Sequence, residues 1–381
     1  PSRFYKWCFV LPIQACHNPG SPPKHTPMKR LFLLTLRRTT LCAIALVAVT
    51  SLCAQEYRSK TSGNWNALGT WEQDTGGGWV DATVIPTNAS GAIAVRAPHT
   101  VTVTAPITVD QVTVEAGGTL TGNAAITLAN SNVNDGVWTM TGSNALTLNT
   151  GGALANNGVL ALRGATLNSV LTNNGTINWS AGTINGSGNI QNTSGAVFNI
   201  GFNSTDQLTV PFNNQAGATV NQNGTGTFHT WYFSTYGVFT NAGTINLVNG
   251  NWRTDNTFTN TGTIDIPAGR LITFTSTTNL NAGTTFTGTG GIVAQAGAVA
   301  QNFPWTNTTH QFTLSGSTWT NSTGNPTVFG VGSTFNWTGG TLAGTAGYTI
   351  APLFTTTFST NTHTLNSVLT NNGTINWSAG T

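Results

Sequence analysis

Charged side chains are scarce in this sequence of 381 residues. They make up 6% of the chain, against roughly a quarter of an ordinary soluble domain, so the composition disfavours an ordinary globular enzyme. Residues 1–54 carry seven Lys and Arg residues and no acid, whereas the remainder carries six basic and ten acidic residues, a net charge of −4. Because the larger part has no basic patch to neutralise phosphates, nucleic-acid binding is excluded on electrostatic grounds.

Cysteine is nearly absent as well. The four cysteines are Cys8, Cys16, Cys42 and Cys53, and all of them lie at or before the cleavage site of the export signal described next. Export would permit disulfides, yet the predicted mature part has no cysteine with which to form one. Its stability must therefore come from packing and backbone pairing, and cysteine metal sites are excluded there.

The segment from Met28 to Ala54 has the layout of a secretory signal peptide. It reads "MKRLFLLTLRRTTLCAIALVAVTSLCA", with a cationic start, an apolar stretch too short to span a bilayer and small residues at its end. The sequence therefore predicts export to the cell surface or the extracellular space, with no transmembrane segment in the mature chain. Residues 1–27 share no pattern with the rest, and we interpret them as disordered upstream sequence without a function.

A short unit recurs along the rest of the chain: an apolar residue, a turn containing Asn and Gly, then alternating apolar and polar residues. The turn glycines recur about every 21 residues and are Gly158, Gly175, Gly195, Gly217, Gly243, Gly262 and Gly283. The alternation predicts short strands with one buried face, and we expect each Gly to supply the positive φ of a tight corner. Since one unit cannot bury its own apolar face, the units should stack as coils.

These features predict an all-β fold, a right-handed parallel β-helix or β-solenoid. Residues 55–115 would form a β-rich capping module, and residues 116–381 would form roughly a dozen coils that rise by about 4.8 Å each. Asn and Thr at equivalent positions would stack into ladders. Tandem immunoglobulin-like sandwiches are the alternative, but such modules repeat near 100 residues. Helices are not predicted, because Gly, Thr and Asn interrupt every apolar stretch.

The predicted capping module is rich in tryptophan and in alternating strands. The residues that define its pattern are Trp65, Trp71, Pro86, Ile93, Val95, His99, Thr100, Val101, Val112, Val114, Gly117 and Gly118. This segment resembles the Trp-containing N-terminal module of large secreted surface proteins of Gram-negative bacteria, akin to the eight-glycine extracellular module that precedes β-helices. The resemblance implies an adhesin, a matrix component or a carrier of a C-terminal sorting signal. We expect Trp65, Trp71 and Trp79 to cover the open end of the solenoid.

Candidate catalytic side chains are few. Arg253, Asp255, Asp265 and Arg270 form the single cluster in which paired carboxylates could serve a polysaccharide hydrolase or lyase. Alternation places Asp265 outward, and a solvated surface ion pair is the favoured interpretation. No histidine has a partner at ligand spacing; those after residue 54 are His99, His229, His310 and His363. We therefore predict no catalytic, cofactor-binding or metal-binding residue, and no enzyme.

Tryptophan and threonine raise two binding alternatives. Trp179 has the parity of Ile177 and Trp337 that of Phe335, so both should point into the solenoid rather than stack on sugars from its surface. Thr-x-Thr stretches such as "TVTVT" resemble ice-binding faces. We expect the uneven coil lengths to disrupt the flat, regular lattice that such a face needs.

Eighteen residues, "TLNSVLTNNGTINWSAGT", occur without a change at 166–183 and again at 364–381. Because inherited repeats drift, identical copies imply a recent duplication, ongoing recombination or an assembly error. A sequence that lacks an initial Met and stops inside this repeat is interpreted as a fragment without its C-terminal region.

The expected function is that of a non-enzymatic, exported cell-surface or extracellular repeat protein, with an adhesive or structural role through an extended Asn- and Thr-rich surface. Its partners would be polysaccharides, other cell-surface glycans or further copies of the same chain. Two alternatives stay open: a polysaccharide lyase or hydrolase of the β-helix class, or the solenoid portion of one, and a glycan- or ice-binding module.

Overall fold

The structure, a computed structural model, describes residues 54–143, 145–202, 207–230 and 237–381. The segment 1–27, the predicted signal peptide up to residue 53 and all four cysteines lie outside these residues. The described chain is all-β apart from one short 3-10 helix, Leu68–Thr70. Within it, no helix is long and apolar enough to cross a membrane.

Parallel ladders organise the strands, and each strand pairs with its equivalent one coil later. About 14 turns are stacked in this way, and ladder 1 follows them from the first coil to the last. Its strands are Tyr57–Ser59, Ile93–Val95, Val112–Val114, Ser131–Asn134, Ala153–Asn156, Val170–Asn173, Asn189–Asn192, Phe212–Asn214, Phe239–Asn241, Phe258–Asn260, Thr278–Leu280, Ala298–Gln301, Thr318–Asn321, Gly340–Ala343 and His363–Asn366.

Two further ladders complete the coils of the N-terminal half. The strands of ladder 2 are Gly63–Asn64, Thr100–Val103, Thr119–Gly122, Val137–Met140, Val159–Leu162, Thr176–Trp179, Val197–Ile200, Thr219–Gln222, Thr244–Asn246, Thr263–Ile266 and Thr285–Gly288. Those of ladder 3 are Ile107–Val109, Ile126–Leu128, Leu146–Leu148, Ala165–Leu167 and Ile184–Asn185.

In the C-terminal half, ladder 4 takes the third place in each coil, and ladder 5 later takes the second place. The strands of ladder 4 are Thr227–Thr230, Asn251–Thr254, Leu271–Phe274, Gly291–Ala294, Gln311–Leu314, Thr334–Trp337, Thr355–Phe358 and Thr374–Trp377. Those of ladder 5 are Thr306–Asn307, Thr327–Phe329, Tyr348–Ile350 and Leu369–Asn371. The predicted all-β class and stacked parallel β-solenoid are confirmed.

Coil length varies without disturbing the register of ladder 1. Asn156 and Asn173 occupy equivalent positions 17 residues apart, whereas Asn214 and Asn241 are equivalent at a separation of 27 residues. The additional residues are accommodated between strands, so the strands themselves keep their register. Uneven coil lengths therefore leave the strand register of this ladder intact.

One continuous hydrophobic core fills the inside of the coils. Inward side chains alternate with outward ones along nearly every strand, and Trp179 and Trp337, predicted to point inward, are 0% and 2% exposed. Aromatic rings from successive coils stack on each other; the ring centroids of Phe212 and Phe239 lie 4.8 Å apart and nearly parallel. The core thus follows from the period-two pattern of the sequence.

The N-terminal end of ladder 1 is extended by two antiparallel strands. Trp71–Asp74 pairs with Tyr57–Ser59 and also with Trp79–Asp81. The first ladder strand is therefore paired on both sides, which leaves no open backbone edge at that position. Trp71, the first residue of the Trp71–Asp74 strand, and Trp65 are both buried, with ring centroids 4.8 Å apart.

The turn glycines are required for two different reasons. The expected positive φ is found at Gly195, Gly217 and Gly283. It is wrong for Gly158, Gly175, Gly243 and Gly262. At these four positions a Cβ atom would collide with the backbone of the preceding coil, as at Gly175, where it would lie 2.2 Å from the carbonyl oxygen of Gly158. Close approach between stacked corners, and not backbone conformation, excludes a side chain there.

Candidate functional site

The candidate carboxylates lie on different ladders. Asp265 is outward on ladder 2, as predicted, and its Oδ1 accepts a hydrogen bond of 2.6 Å from Thr287 Oγ1. Asp255 follows a strand of ladder 4, where its Oδ1 lies 2.7 Å from Arg253 Nε and accepts a hydrogen bond of 3.0 Å from Thr275 Oγ1. Each carboxylate thus has its own neighbours. Asp255 forms an ion pair with Arg253 in which the Asp255 side chain is only 12% exposed, so this pair is partly buried rather than fully solvated.

The other candidate residues are dispersed. Arg270 is half-buried in the turn that precedes a strand of ladder 4. The described histidines make separate contacts: His99 with Ser59, His310 with Phe286 and His363 with Trp337. The side chain of His229 lies outside the described part of the chain. Among the described residues, no group of three or more His, Cys, Asp and Glu side chains could hold a metal ion.

A file of buried asparagines, which we call the inner asparagine ladder, runs along the corner between ladders 1 and 2. Each Nδ2 donates a hydrogen bond of 2.6 to 2.7 Å to the Oδ1 of the asparagine one coil later. All seven members are 0% exposed, and they are Asn134, Asn156, Asn173, Asn192, Asn214, Asn241 and Asn260. The last of them donates to Thr284 Oγ1 at 3.0 Å.

The inner asparagine ladder also binds the backbone. Asn173 Nδ2, for example, donates to the carbonyl oxygen of Val197 at 3.0 Å in addition to Asn192 Oδ1. Buried polar groups are costly when unpaired, and a satisfied internal bond contributes about 1 kcal/mol. The inner asparagine ladder is incomplete at its first member, because Asn134 Oδ1 is buried without a hydrogen-bond partner. The ladder therefore ties successive coils together and fixes their register.

A different polar cluster occupies the core of the C-terminal coils. Gln301 Oε1 accepts hydrogen bonds of 2.9 Å from Trp319 Nε1 and from Thr327 Oγ1. The hydroxyl group of Tyr348 lies 2.9 Å from the carbonyl oxygen of Trp319 and 2.8 Å from that of Ala343. Burial raises the pKa of Tyr348 well above its ordinary value. These hydrogen bonds lie at the end of ladder 1 in the coils that follow Asn260, the last member of the inner asparagine ladder.

The outer face of ladder 2 is regular and almost uncharged. Its first file, outer column 1, contains β-branched residues only: Thr100, Thr119, Val137, Val159, Thr176, Val197, Thr219, Thr244, Thr263 and Thr285. Outer column 2 contains Thr102, Thr121, Thr139, Ala161, Asn178, Asn199, Asn221, Asn246, Asp265 and Thr287. One carboxylate is thus the sole charged group in twenty positions.

Asparagines in outer column 2 are linked to each other as well. The Nδ2 atoms of Asn199, Asn221 and Asn246 each donate to the Oδ1 of the column neighbour one coil earlier, at 2.8 to 2.9 Å. This direction is opposite to that of the inner asparagine ladder. An amide has two donor hydrogens and two acceptor lone pairs, so a member such as Asn221 retains a donor and an acceptor for an outside partner.

Aromatic side chains are concentrated inside the solenoid. Among the described tryptophans, Trp377 in the last coil is the one that is mostly exposed, at 56%, and Trp79 is half-buried against the Arg58 guanidinium, 4.1 Å from its ring centroid. Stacking of sugars on exposed rings therefore has little support along the described sides. Contacts from Asn amides, Thr hydroxyls and methyl groups are what these sides present.

The identical eighteen-residue segments occupy different places in the coil. The strands of the first copy belong to ladders 3, 1 and 2 in that order, whereas those of the second belong to ladders 1, 5 and 4. Trp179 is buried in the first copy, and its equivalent Trp377 is exposed in the last coil. The same sequence is therefore accepted on more than one face of the solenoid.

The fold and these surfaces define a parallel β-solenoid protein with an internal asparagine ladder and nearly uncharged sides. Comparisons with protein-family models, with curated proteins and with solved structures find no match for this chain.

Proposed function

We propose that this chain is a non-enzymatic, exported repeat protein of the cell surface or the extracellular matrix, with an adhesive or structural role. The observation that carries the proposal is the outer face of ladder 2, where twenty aligned positions hold a single charged residue, Asp265. A face of this kind repeats the same amide, hydroxyl and methyl groups in every coil. It is suited to an extended partner rather than to a small molecule.

The proposed mechanism is multivalent binding of neutral glycans. One amide such as that of Asn221 offers a single weak pair of hydrogen bonds in competition with water. Coils spaced by about 4.8 Å repeat that contact along the rod. Contacts that are joined in one molecule add their effect through a high effective concentration, so retention on a surface rises steeply with the number of coils.

Removing whole coils tests the mechanism, because register allows a clean excision. Asn156 and Asn173 are equivalent, as are Asn156 and Asn192, so deletion of residues 157–173 removes one coil and deletion of 157–192 removes two. The full chain and both deletions are passed over immobilised cellulose, chitin and dextran. We expect stepwise weaker retention on at least one of them, with unchanged β-sheet circular dichroism per residue.

Two outcomes contradict the proposal. Retention that does not depend on the number of coils would place binding at one local site. Release of reducing sugar or of unsaturated products from any of the three polysaccharides would instead favour the carbohydrate-active enzyme considered from the sequence.

Export is tested separately. A chain that lacks residues 28–54 should stay in the cytoplasm of the producing cell, and its secretion would refute the assigned signal.

A further inference from the structure

The two outer columns of ladder 2 form a continuous, regular strip. Ten strands in unbroken register give it a length of roughly 43 Å at about 4.8 Å per coil. β-Branched side chains pack well on a pleated surface, and rows of Asn favour contact between identical sheets. Charges that commonly keep such surfaces apart are confined to Asp265.

We propose that this strip is a self-complementary surface through which two copies of the chain pack side by side. The second copy lies antiparallel, related to the first by a two-fold axis along the strand direction. Identical surfaces form closed, isologous contacts under such an axis. Each column then faces the same column of the second copy, and the order of the coils is reversed.

Side-chain chemistry favours the antiparallel arrangement. At the centre, Asn178 lies opposite Asn199 of the second copy, so amide donors and acceptors meet twice across the axis. In outer column 1 every valine lies opposite a threonine: Val137 opposite Thr244, Val159 opposite Thr219 and Val197 opposite Thr176. Each valine of outer column 1 therefore meets a methyl-bearing partner. In outer column 2 amides meet amides only at Asn178 and Asn199, while Asn221 lies opposite Ala161 and Asn246 opposite Thr139.

The position of Asp265 sets the direction. In the antiparallel pair it lies opposite Thr121 of the second copy, and the two Asp265 carboxylates are separated by seven coils, roughly 34 Å. A parallel pair would hold both carboxylates in the same coil, where like charges repel. The single charge of the strip thus selects one of the two possible two-fold arrangements.

The size of the strip determines how strong the pairing is. Its length of roughly 43 Å and a width of three to four residues give roughly 500 Å² per copy, less than the roughly 800 Å² per partner of a stable complex. Pairing is therefore reversible and depends on concentration, and it strengthens where many copies are held on one surface. Pairing covers the same outer face of ladder 2 that is proposed to contact glycans, so the two compete, and a chain that retains no polysaccharide can still pair.

A charge exchange at the centre tests the proposal with the full chain. One variant carries Asn178→Asp and Asn199→Asp, and a second carries Asn178→Lys and Asn199→Lys. Sedimentation velocity over about 1 to 200 µM measures association of each variant, of their equimolar mixture and of the wild type. A matched control carries Thr240→Lys and Thr259→Lys, two outward neighbours on ladder 1.

We expect the wild type and the ladder 1 control to dimerise alike. Each charged variant alone should associate at least tenfold more weakly, because like charges meet at positions 178 and 199 across the axis. The mixture should restore association, which a misfolded variant would not do. A wild type that stays monomeric, charged variants that associate like the wild type, or a mixture no tighter than its components would each overturn the proposal.

Discussion

Replacing Asn173 by Leu should destabilise the solenoid by about 4 kcal/mol. Asn173 lies in the middle of the inner asparagine ladder and is 0% exposed. Its Oδ1 accepts from Asn156 Nδ2, and its Nδ2 donates to Asn192 Oδ1, both at 2.7 Å. Leu has a similar size, so the change removes the polar contacts while leaving little empty space.

The magnitude follows from the broken contacts. The Asn173 side chain loses three hydrogen bonds, with Asn156, with Asn192 and with the carbonyl oxygen of Val197, worth about 1 kcal/mol each. Asn192 Oδ1 also becomes a buried acceptor without a donor, which costs about a further 1 kcal/mol. Asn156 Nδ2 loses less, since it still donates to the carbonyl oxygen of Thr176 at 3.0 Å. The free energy of unfolding is measured by urea titration, with circular dichroism and tryptophan fluorescence as independent probes.

Asn134→Leu is the matched control at the end of the same ladder. Asn134 donates to Asn156 Oδ1 and to the carbonyl oxygen of Val159, and its own Oδ1 has no hydrogen-bond partner. Its replacement leaves Asn156 Oδ1 without a donor but removes an unpaired buried acceptor, and these two effects offset each other. We expect about 2 kcal/mol for this change, from the two lost hydrogen bonds. If Asn173→Leu destabilises no more than Asn134→Leu, the continuous ladder is not what holds these coils in register.

Three further predictions concern the same coil contacts. Val114 lies one coil before Asn134 in the same position, so Val114→Asn supplies a donor for the unpaired Asn134 Oδ1. The free energy of unfolding, measured from urea midpoints, should fall by about 2 kcal/mol less for Val114→Asn than for Val95→Asn, which lies a further coil away and has no such acceptor beside it. Gly175→Ala should lower the melting temperature more than Gly195→Ala. The alanine Cβ at position 175 collides with the backbone of the preceding coil, whereas at position 195 it has open space and only the strain of a positive φ. The reverse order would refute the close-approach argument. Because the folded-state pKa of Tyr348 is raised, its stabilising contribution is complete below pH 10 and is lost as pH rises further; Tyr348→Phe should flatten that alkaline decline in urea titrations, and an unchanged decline would contradict it.

Much of the solenoid could be predicted from local patterns. The period of about 21 residues, the parallel stacking and the inward direction of Trp179 and Trp337 all follow from alternation between turns. The sequence also indicates that the ladder asparagines are buried, because Asn173 lies two residues after the inward-facing Leu171 and so points to the same side of the strand. We expected asparagines at equivalent positions to stack into ladders, but we assigned these residues to turns and did not place their amides in the core. Burial is favourable here because an identical partner one coil away satisfies each amide.

The distribution of residues among faces could not be predicted in the same way. Identical strands of the eighteen-residue segment lie on different ladders in the two copies, so local sequence does not determine the face. Position depends on how many residues separate strands in the preceding coils. For the same reason the spacing of Asp255 and Asp265 in sequence gave no indication that they lie on different ladders.

The most direct test of the account is hydrogen exchange of asparagine side-chain amides, followed by NMR on selectively labelled protein. We expect slow exchange for Asn156, Asn173, Asn192, Asn214 and Asn241, which are buried and bonded on both sides of the ladder. The exposed Asn174 amide provides the fast reference. Slow exchange at all five would support one continuous internal ladder. Exchange as fast as that of Asn174 would contradict it, and with it the account of how these coils stay in register.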